Sequence, residues 1–225
     1  MGFTESAATG REYASYSTGK FEQFIIQPRK KHMEERDDRD VAEVSNHSIP
    51  ESQAVGGKPA HFHLPGPDLQ LLRLDHVAAV LAFERENRAY FASIVPDRGD
   101  EFFAEFDARF AQLLAWQADG TDYFHLLLTE GGEVVGRVNL FKVTDRSAEL
   151  GYRIAQKATG QGLATVAVRK VRELAAAEYG LSRLRARVTQ DNPASRTVLE
   201  RNGFVAVEEI TLNGKPAMSY ICELQ

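Results

Sequence analysis

From residue 69 onward the apolar positions recur with two different periods, and the periods assign the elements. Leu69 to Asp75 reads as a strand, whereas Val77, Val80, Leu81, Phe83 and Phe91 recur in loosely helical spacing across Val77 to Ile94. Pro96 ends that helix, because proline lacks an N–H and its ring clashes with the preceding turn. A second helix is predicted from Asp100 to Ala118, with Phe102, Phe103, Phe106, Phe110, Leu113, Leu114 and Trp116 on a wide apolar face. That stripe reads either as core or as the lining of an acyl pocket. Strands follow at Tyr123 to Thr129, Val134 to Val143 and Ala148 to Ile154, with Gly131-Gly132 as the turn between the first two. Then come a helix, a strand from Leu184 to Val188, a short helix, and two last strands near Phe204 to Leu212 and Ala217 to Leu224. Asn213-Gly214 joins that pair and suits the positive φ angles of a type I′ turn. The order predicts an α+β fold, an α/β three-layer arrangement in which a mixed, largely antiparallel sheet is flanked by helices.

Residues 1 to about 65 lack this periodicity. From Arg29 to Asp40 every residue except Met33 is charged or histidine, so no face of a helix or strand stays apolar. Residues 44–67 are then dense in Pro, Gly, Ser and Asn, the composition of a linker. We expect a disordered extension over 1–65 and a folded domain over 66–225. Met33 leaves a later start as an alternative. The apolar island Phe21 to Ile26 reads as a short docking element or as a transient cluster in a tail. His61 and His63 form an HxH pair with no further ligand cluster nearby, and no metal site is expected.

Composition narrows the function classes. The chain has 225 residues, 43% hydrophobic and 26% charged, which suits a soluble globular domain with an appendage. No apolar run approaches the roughly 18 to 20 residues of a membrane span. A formal charge of −5 gives no basic field for general nucleic-acid binding. Cys222 is the single cysteine, which excludes an intrachain disulfide and a thiolate zinc cluster and makes the cytoplasm the expected compartment. The first residues lack the basic and apolar regions of a secretory signal, and Met-Gly without a second membrane signal is a poor myristoylation motif. A monomer or homodimer is expected.

The chemistry concentrates in two segments. In ELGYRIAQKATGQGLA, Glu149 to Ala164, a strand runs into a glycine loop and directly into a helix that carries Leu163, Val166, Ala167, Val171 and Leu174 on one face. The unpaired N–H groups and positive dipole end of that helix suit a phosphate. Gly160 and Gly162 let the backbone approach an anion, and Lys157 stands where it would add a charge-assisted contact. Glycine at such a turn also serves geometry alone. The spacing lacks the GK[ST] of a P-loop and the GxGxxG of a Rossmann site. The second segment is NPASRTVLERNGF, in which Asn192 suits an N-cap, Pro193 the first helical position and Gly203 the stop. Ser195 falls in the first turn, facing either the chain or a ligand.

These two segments, in this order and some thirty residues apart, resemble the GNAT superfamily of N-acetyltransferases. LGYRI and NPASRTVLERNGF resemble the branch that includes the enzymes acetylating the N-terminal alanine or serine of ribosomal proteins. The resemblance covers roughly Leu69 to Leu224. It implies acetyl coenzyme A as co-substrate, its pyrophosphate held by backbone amides of Gly160, Gln161, Gly162, Leu163 and Ala164. It also implies that Ile154 and Ala155 lie beside the pantetheine arm. Lys157 departs from the Gln or Arg that opens the family's loop motif, which touches the side-chain contact and leaves the backbone cradle intact.

The resemblance further implies direct attack by an amine on the thioester. A base must then take the amine proton and an acid must protonate the departing thiolate. Glu149 is the candidate base, placed by alternation on the face opposite Leu150, Tyr152 and Ile154. An exposed strand glutamate is the plain alternative. Ser195 is the candidate acid and Asn192 a candidate for fixing the coenzyme arm, with local back-bonding and capping as their respective alternatives. Tyr152 reads as a core aromatic and Cys222 as packing. Arg183, Arg185 and Arg187 form one basic strand face, read as solvated or as steering for an acidic or RNA-bound acceptor. The expected acceptor is a protein N-terminal α-amine. Small amines such as polyamines, aminoglycosides or other antibiotics, and a non-catalytic acyl-CoA sensor, are the alternatives.

Overall fold

The computed structural model describes residues 67–225. The extension 1–65, with Phe21 to Ile26, Met33 and the His61/His63 pair, lies outside the described residues. Seven strands, β1 (Asp68–Leu71), β2 (Tyr123–Leu128), β3 (Val134–Thr144), β4 (Ser147–Ile154), β5 (Arg183–Thr189), β6 (Val205–Leu212) and β7 (Lys215–Glu223), form one sheet. Its order is β1-β2-β3-β4-β5-β7-β6. Every neighbouring pair is antiparallel except β4 and β5. The expected α+β architecture with a largely antiparallel sheet is therefore observed.

Helices cover both faces. α1 (Val77–Glu86), α2 (Arg88–Ala92), α3 (Asp100–Ala104) and α4 (Phe106–Ala118) come before β2, and α1 and α4 pack against β3 and β2. α5 (Leu163–Ala177) packs on β3 and β4, and α6 (Pro193–Arg201) packs on α5. Alternation along the strands sends Leu150, Tyr152, Ile154, Leu184, Ala186 and Val188 into the core, all at 6% exposure or less. Phe106 and Phe110 are buried while Phe102, Leu113, Leu114 and Trp116 are partly buried against the same core, so the aromatic stripe is packing. Burying such side chains contributes roughly 1.5–3 kcal/mol each.

Three element boundaries differ from the pattern's reading. The first strand ends at Leu71, and Leu74–His76 form a 3-10 turn in which His76 Nδ1 accepts from the Arg73 N–H at 3.2 Å. The helix read as continuous from Val77 to Ile94 breaks at Asn87, whose side-chain amide donates to the Phe83 carbonyl at 2.9 Å and competes with the helical ladder. The helix read from Asp100 to Ala118 breaks at Glu105, with φ −99° and ψ 16°.

Candidate active site

The site grows from the strand pair that fails to stay together. β4 and β5 pair only at Ser147 with Arg183, Ala148 with Leu184 and Glu149 with Arg185. Beyond Glu149 the two strands part, while β4 keeps its ladder with β3 as far as Ile154 opposite Gly136. The β5-facing backbone groups of Leu150 to Ile154 thus face a gap and not a strand. A buried polar backbone edge wants partners, and an amide-bearing chain laid in the gap would supply them.

At the end of β4 the chain turns through Gln156–Ala158 and Gly160 to the start of α5. Gly160 and Gly162 have φ of 77° and 78°, a region costly for residues with a Cβ. A Cβ built on Gly162 would meet no protein atom within 4 Å, so the space above it is open. The first α5 bond runs from the Val166 N–H to the Gly162 carbonyl at 3.2 Å. The N–H groups of Leu163, Ala164 and Thr165 precede it and have no intrahelical acceptor. Ile154 and Ala155 are buried at 6% and 0%, and Gly160, Gln161 and Gly162 are exposed. Backbone donors at a helix start, an open approach and an unpaired strand edge fit the pyrophosphate and amide arm of an acyl coenzyme A. Lys157 is turned elsewhere: its ammonium pairs with Glu133, with Glu86 at 3.8 Å.

Two further side chains hold this loop. Asn87 Oδ1 accepts from the Gln156 N–H at 2.9 Å, tying the α1–α2 break to the cradle. Asn202 Nδ2 donates to the Val198 and Thr165 carbonyls at 2.8 and 3.3 Å, and Arg172 donates to the Asn202 carbonyl. Both asparagines escaped the sequence reading, Asn87 because it sits inside an apparently continuous helix and Asn202 because Gly203 explains the helix end alone.

α6 begins as its sequence implies. Asn192 Oδ1 accepts from the Ser195 N–H at 3.1 Å, with Pro193 at the first position. Asn192 and Ser195 are each 1% exposed. Burial pushes the Tyr152 phenol well above its ordinary value, and the neighbouring Ser195 hydroxyl tempers that rise. The Tyr152 oxygen nonetheless has no geometrically complete hydrogen bond among the described residues. The structure therefore brings Asn192, Ser195 and Tyr152 together on the α5 side of β4.

Glu149 lies on the other face of β4, one third exposed. Its carboxylate accepts from Arg187 Nη2 at 2.9 Å, with Lys142 Nζ at 3.8 Å. The basic strand face is thus divided: Arg187 is bound to Glu149, Arg183 to Glu223 at 2.6 Å, and Arg185 is exposed. Cys222 is 4% exposed and its thiol is pushed up by burial, as suits packing.

The same face holds a cluster absent from the sequence reading. Glu84 of α1, 2% exposed, is met by Arg137 Nη1 of β3 at 2.9 Å, Arg153 Nη1 of β4 at 3.4 Å and Arg98 Nη1 at 3.5 Å. Burial is the largest single influence on the Glu84 carboxyl and pushes upward, but the three guanidiniums together hold it below its ordinary value. Burial draws Arg98 down to about 9, still charged at neutral pH. The available signal was two arginines inside otherwise apolar strand runs, at positions that register opposite one another.

Splayed strands, a glycine cradle at a helix start and buried polar groups at the gap define an acetyl-CoA-dependent acyltransferase. The GNAT acetyltransferase domain matches residues 68–205, and the chain belongs to that family. It is 28% identical to YjcK of Bacillus subtilis, named a probable N-acetyltransferase, over 60% of this chain and 80% of that protein. Among solved structures it is similar to the ribosomal-protein-S5-alanine acetyltransferase of Vibrio fischeri. That match has TM-score 0.65 and 20% identity, over 69% of this chain and 91% of that one. A variant of the spermidine N-acetyltransferase SpeG of Vibrio cholerae matches with TM-score 0.55 and 18% identity, over 69% and 94%.

Proposed function

We propose that this chain transfers an acetyl group from acetyl-CoA to a primary amine, and that the amine is the α-amine of a protein N-terminus. The observation that carries the reading is the gap between β4 and β5, with Glu149 at its closed end and the glycine cradle at the other. Bound acetyl-CoA supplies the activated acyl group. Gly160, Gln161, Gly162, Leu163 and Ala164 are assigned to its pyrophosphate, the Ile154–Ala155 edge to its amide arm, and Asn192 to the start of the helix beside it. Glu149 takes the proton of the incoming amine, directly or through a water, while Arg187 fixes its carboxylate. Ser195 gives a proton to the departing thiolate from the buried pocket it shares with Tyr152. Lys157 acts through its carboxylate pairs at the loop margin, or releases them to reach a phosphate.

Charge favours an α-amine over a polyamine. Lys142, Arg185 and Arg187 lie around Glu149, and two like-charged groups within a few ångströms repel. A polycation would meet several cations there, whereas a peptide N-terminus brings one ammonium that is neutralised on attack. The ribosomal-protein acetyltransferase of Vibrio fischeri supports the same acceptor class.

The test is thiol release from acetyl-CoA in the presence of peptides beginning with Ala or Ser, spermidine and an aminoglycoside, with coenzyme A binding measured in parallel. Release with the peptides and none with the other amines is expected. Release only with a small amine moves the acceptor to that class, and binding without any release makes the domain a sensor.

A further inference from the structure

Asn139 of β3 is a polar side chain that the fold does not use. It is 2% exposed, and its carboxamide oxygen has no hydrogen-bond partner among the described residues. Burying an unpaired amide oxygen costs free energy that an apolar residue of similar size would not. Two of its neighbours are aromatic and offer it nothing. Phe124 of β2, fully buried, stands in register beside it, and Phe141 follows two residues along β3 with its ring 5.9 Å from that of Phe124.

The place of Asn139 in the sheet is beside the gap. Register sets Leu140 opposite Leu150 and Val138 opposite Tyr152 on the α5 side, and therefore Asn139 opposite Gly151 on the face of Glu149. Along that face β4 presents Glu149, Gly151 and Arg153, so the row has no side chain at its middle position. Glycine inside a strand often marks a place where a ligand or another backbone comes close. Gly151 also lies past the last β4–β5 pair, Glu149 with Arg185, so the missing side chain opens on the unpaired part of β4. Glu149 is two residues away on the same face, about 7 Å along the strand, with its carboxylate held by Arg187.

We infer that Asn139 binds the acceptor, its carboxamide oxygen accepting a hydrogen bond from the amine nitrogen that attacks the thioester. The inference rests on the transferase reading. A primary amine has two N–H groups and one lone pair. With one N–H directed to Glu149 and the other to Asn139, the lone pair is left for the acetyl carbon in the gap. As the C–N bond forms, the carbonyl electron pair moves to oxygen and the nitrogen becomes positive, so both hydrogen bonds strengthen and favour the transition state over the bound amine. Glu149 then removes one of the two protons, the C–S bond breaks with its electron pair on sulfur, and the proton facing Asn139 stays on the amide product. The class selected is a primary amine. A secondary amine has one N–H and leaves either Glu149 or Asn139 without a donor.

Asn139→Leu, which keeps the bulk and removes the polar atoms, tests the assignment in the full-length protein. The kcat/KM for an Ala-initiated peptide is expected to fall roughly tenfold or more, with coenzyme A affinity within about twofold. The preference for that peptide over the same peptide methylated on its α-nitrogen is expected to shrink by roughly fivefold or more. Asn139→Asp, isosteric and still an acceptor, is expected to keep the preference. Because Asn139→Leu removes an unpaired buried amide, its unfolding midpoint is expected to rise by about 3 °C, whereas loss of an amide bonded within the fold would lower it. Wild-type rates and an intact preference in Asn139→Leu overturn the assignment and leave the transferase reading standing. A lowered midpoint together with lost coenzyme affinity makes Asn139 a structural residue and overturns the assignment as well. Coenzyme A binding by the wild type without transfer to any amine overturns the transferase reading and this assignment with it.

Discussion

Single residues here carry large, opposed electrostatic effects. Glu84 is the shared counter-charge of the buried Arg137 and Arg153 and the largely buried Arg98, so Glu84→Gln removes the carboxylate on which they converge, and we expect a loss of about 3–5 kcal/mol in denaturant unfolding. A loss below 1 kcal/mol would mean the arginines are not held by that carboxylate. Because the folded Glu84 carboxyl is held below its ordinary value of 4.5, its contribution is present above that value and disappears as pH falls through the lower folded one. His125 acts earlier in the same direction. It is 1% exposed, Nε2 lies 2.9 Å from the Tyr179 hydroxyl, and burial depresses it from 6.5 to about 4. Between those values the unfolded chain binds the proton and the folded chain does not, so stability falls on acidification. The fall from pH 7 to 5 is expected to be about 2 kcal/mol, and His125→Gln should flatten it. An unchanged slope in that variant would move the titration elsewhere. Ser195→Ala is expected to lower kcat on the order of 10²-fold with the coenzyme affinity nearly intact, measured by steady-state thiol release. Unaltered kcat would leave Ser195 as a helix-start residue alone.

At the scale of elements, the loop into α5 can be separated from the fold that presents it. A Cβ at Gly162 meets no protein atom but is forced into a positive φ, so Gly162→Ala costs about 1–2 kcal/mol in stability. The same Cβ enters the cradle, and the acetyl-CoA KM is expected to rise roughly tenfold while kcat holds. Equal KM values would take the pyrophosphate away from this turn. Elements whose signal is local were legible in the sequence: the capped start of α6, the glycines before α5, and Asn213-Gly214, where both residues have the positive φ of the expected turn. The β3–β4 turn was not, because Asp145 and Arg146 take the same positive φ without a glycine to announce it. Breaks at Asn87 and Glu105 were hidden for a related reason. Apolar spacing survives a one-residue break, and only the hydrogen bonds of Asn87 to Phe83 and Gln156 reveal why the chain bends there.

Across the whole molecule, the features that escaped the sequence are those that depend on distant residues meeting. The glycine cradle and the Asn192–Ser195 pair were legible because each is a few residues of continuous chain. The Glu84 cluster joins α1, β3, β4 and the loop before α3, and each arginine read singly is an ordinary surface residue. The β4–β5 gap likewise appears only when the register stops at Glu149 opposite Arg185. The formal charge of −5 says little about the acceptor, since the face around Glu149 is locally basic. That gap is where the account stands or falls, and Glu149 at its closed end is the residue we propose as the base of the transfer step. The direct measurement is the rate of acetyl transfer to an Ala- or Ser-initiated peptide at saturating acetyl-CoA, for wild type and Glu149→Gln, with coenzyme A affinity determined on the same samples. We expect kcat to fall 10²-fold or more, the order of effect of a general base, with affinity within about twofold. Equal rates in the two proteins, or a loss confined to coenzyme binding, would contradict it.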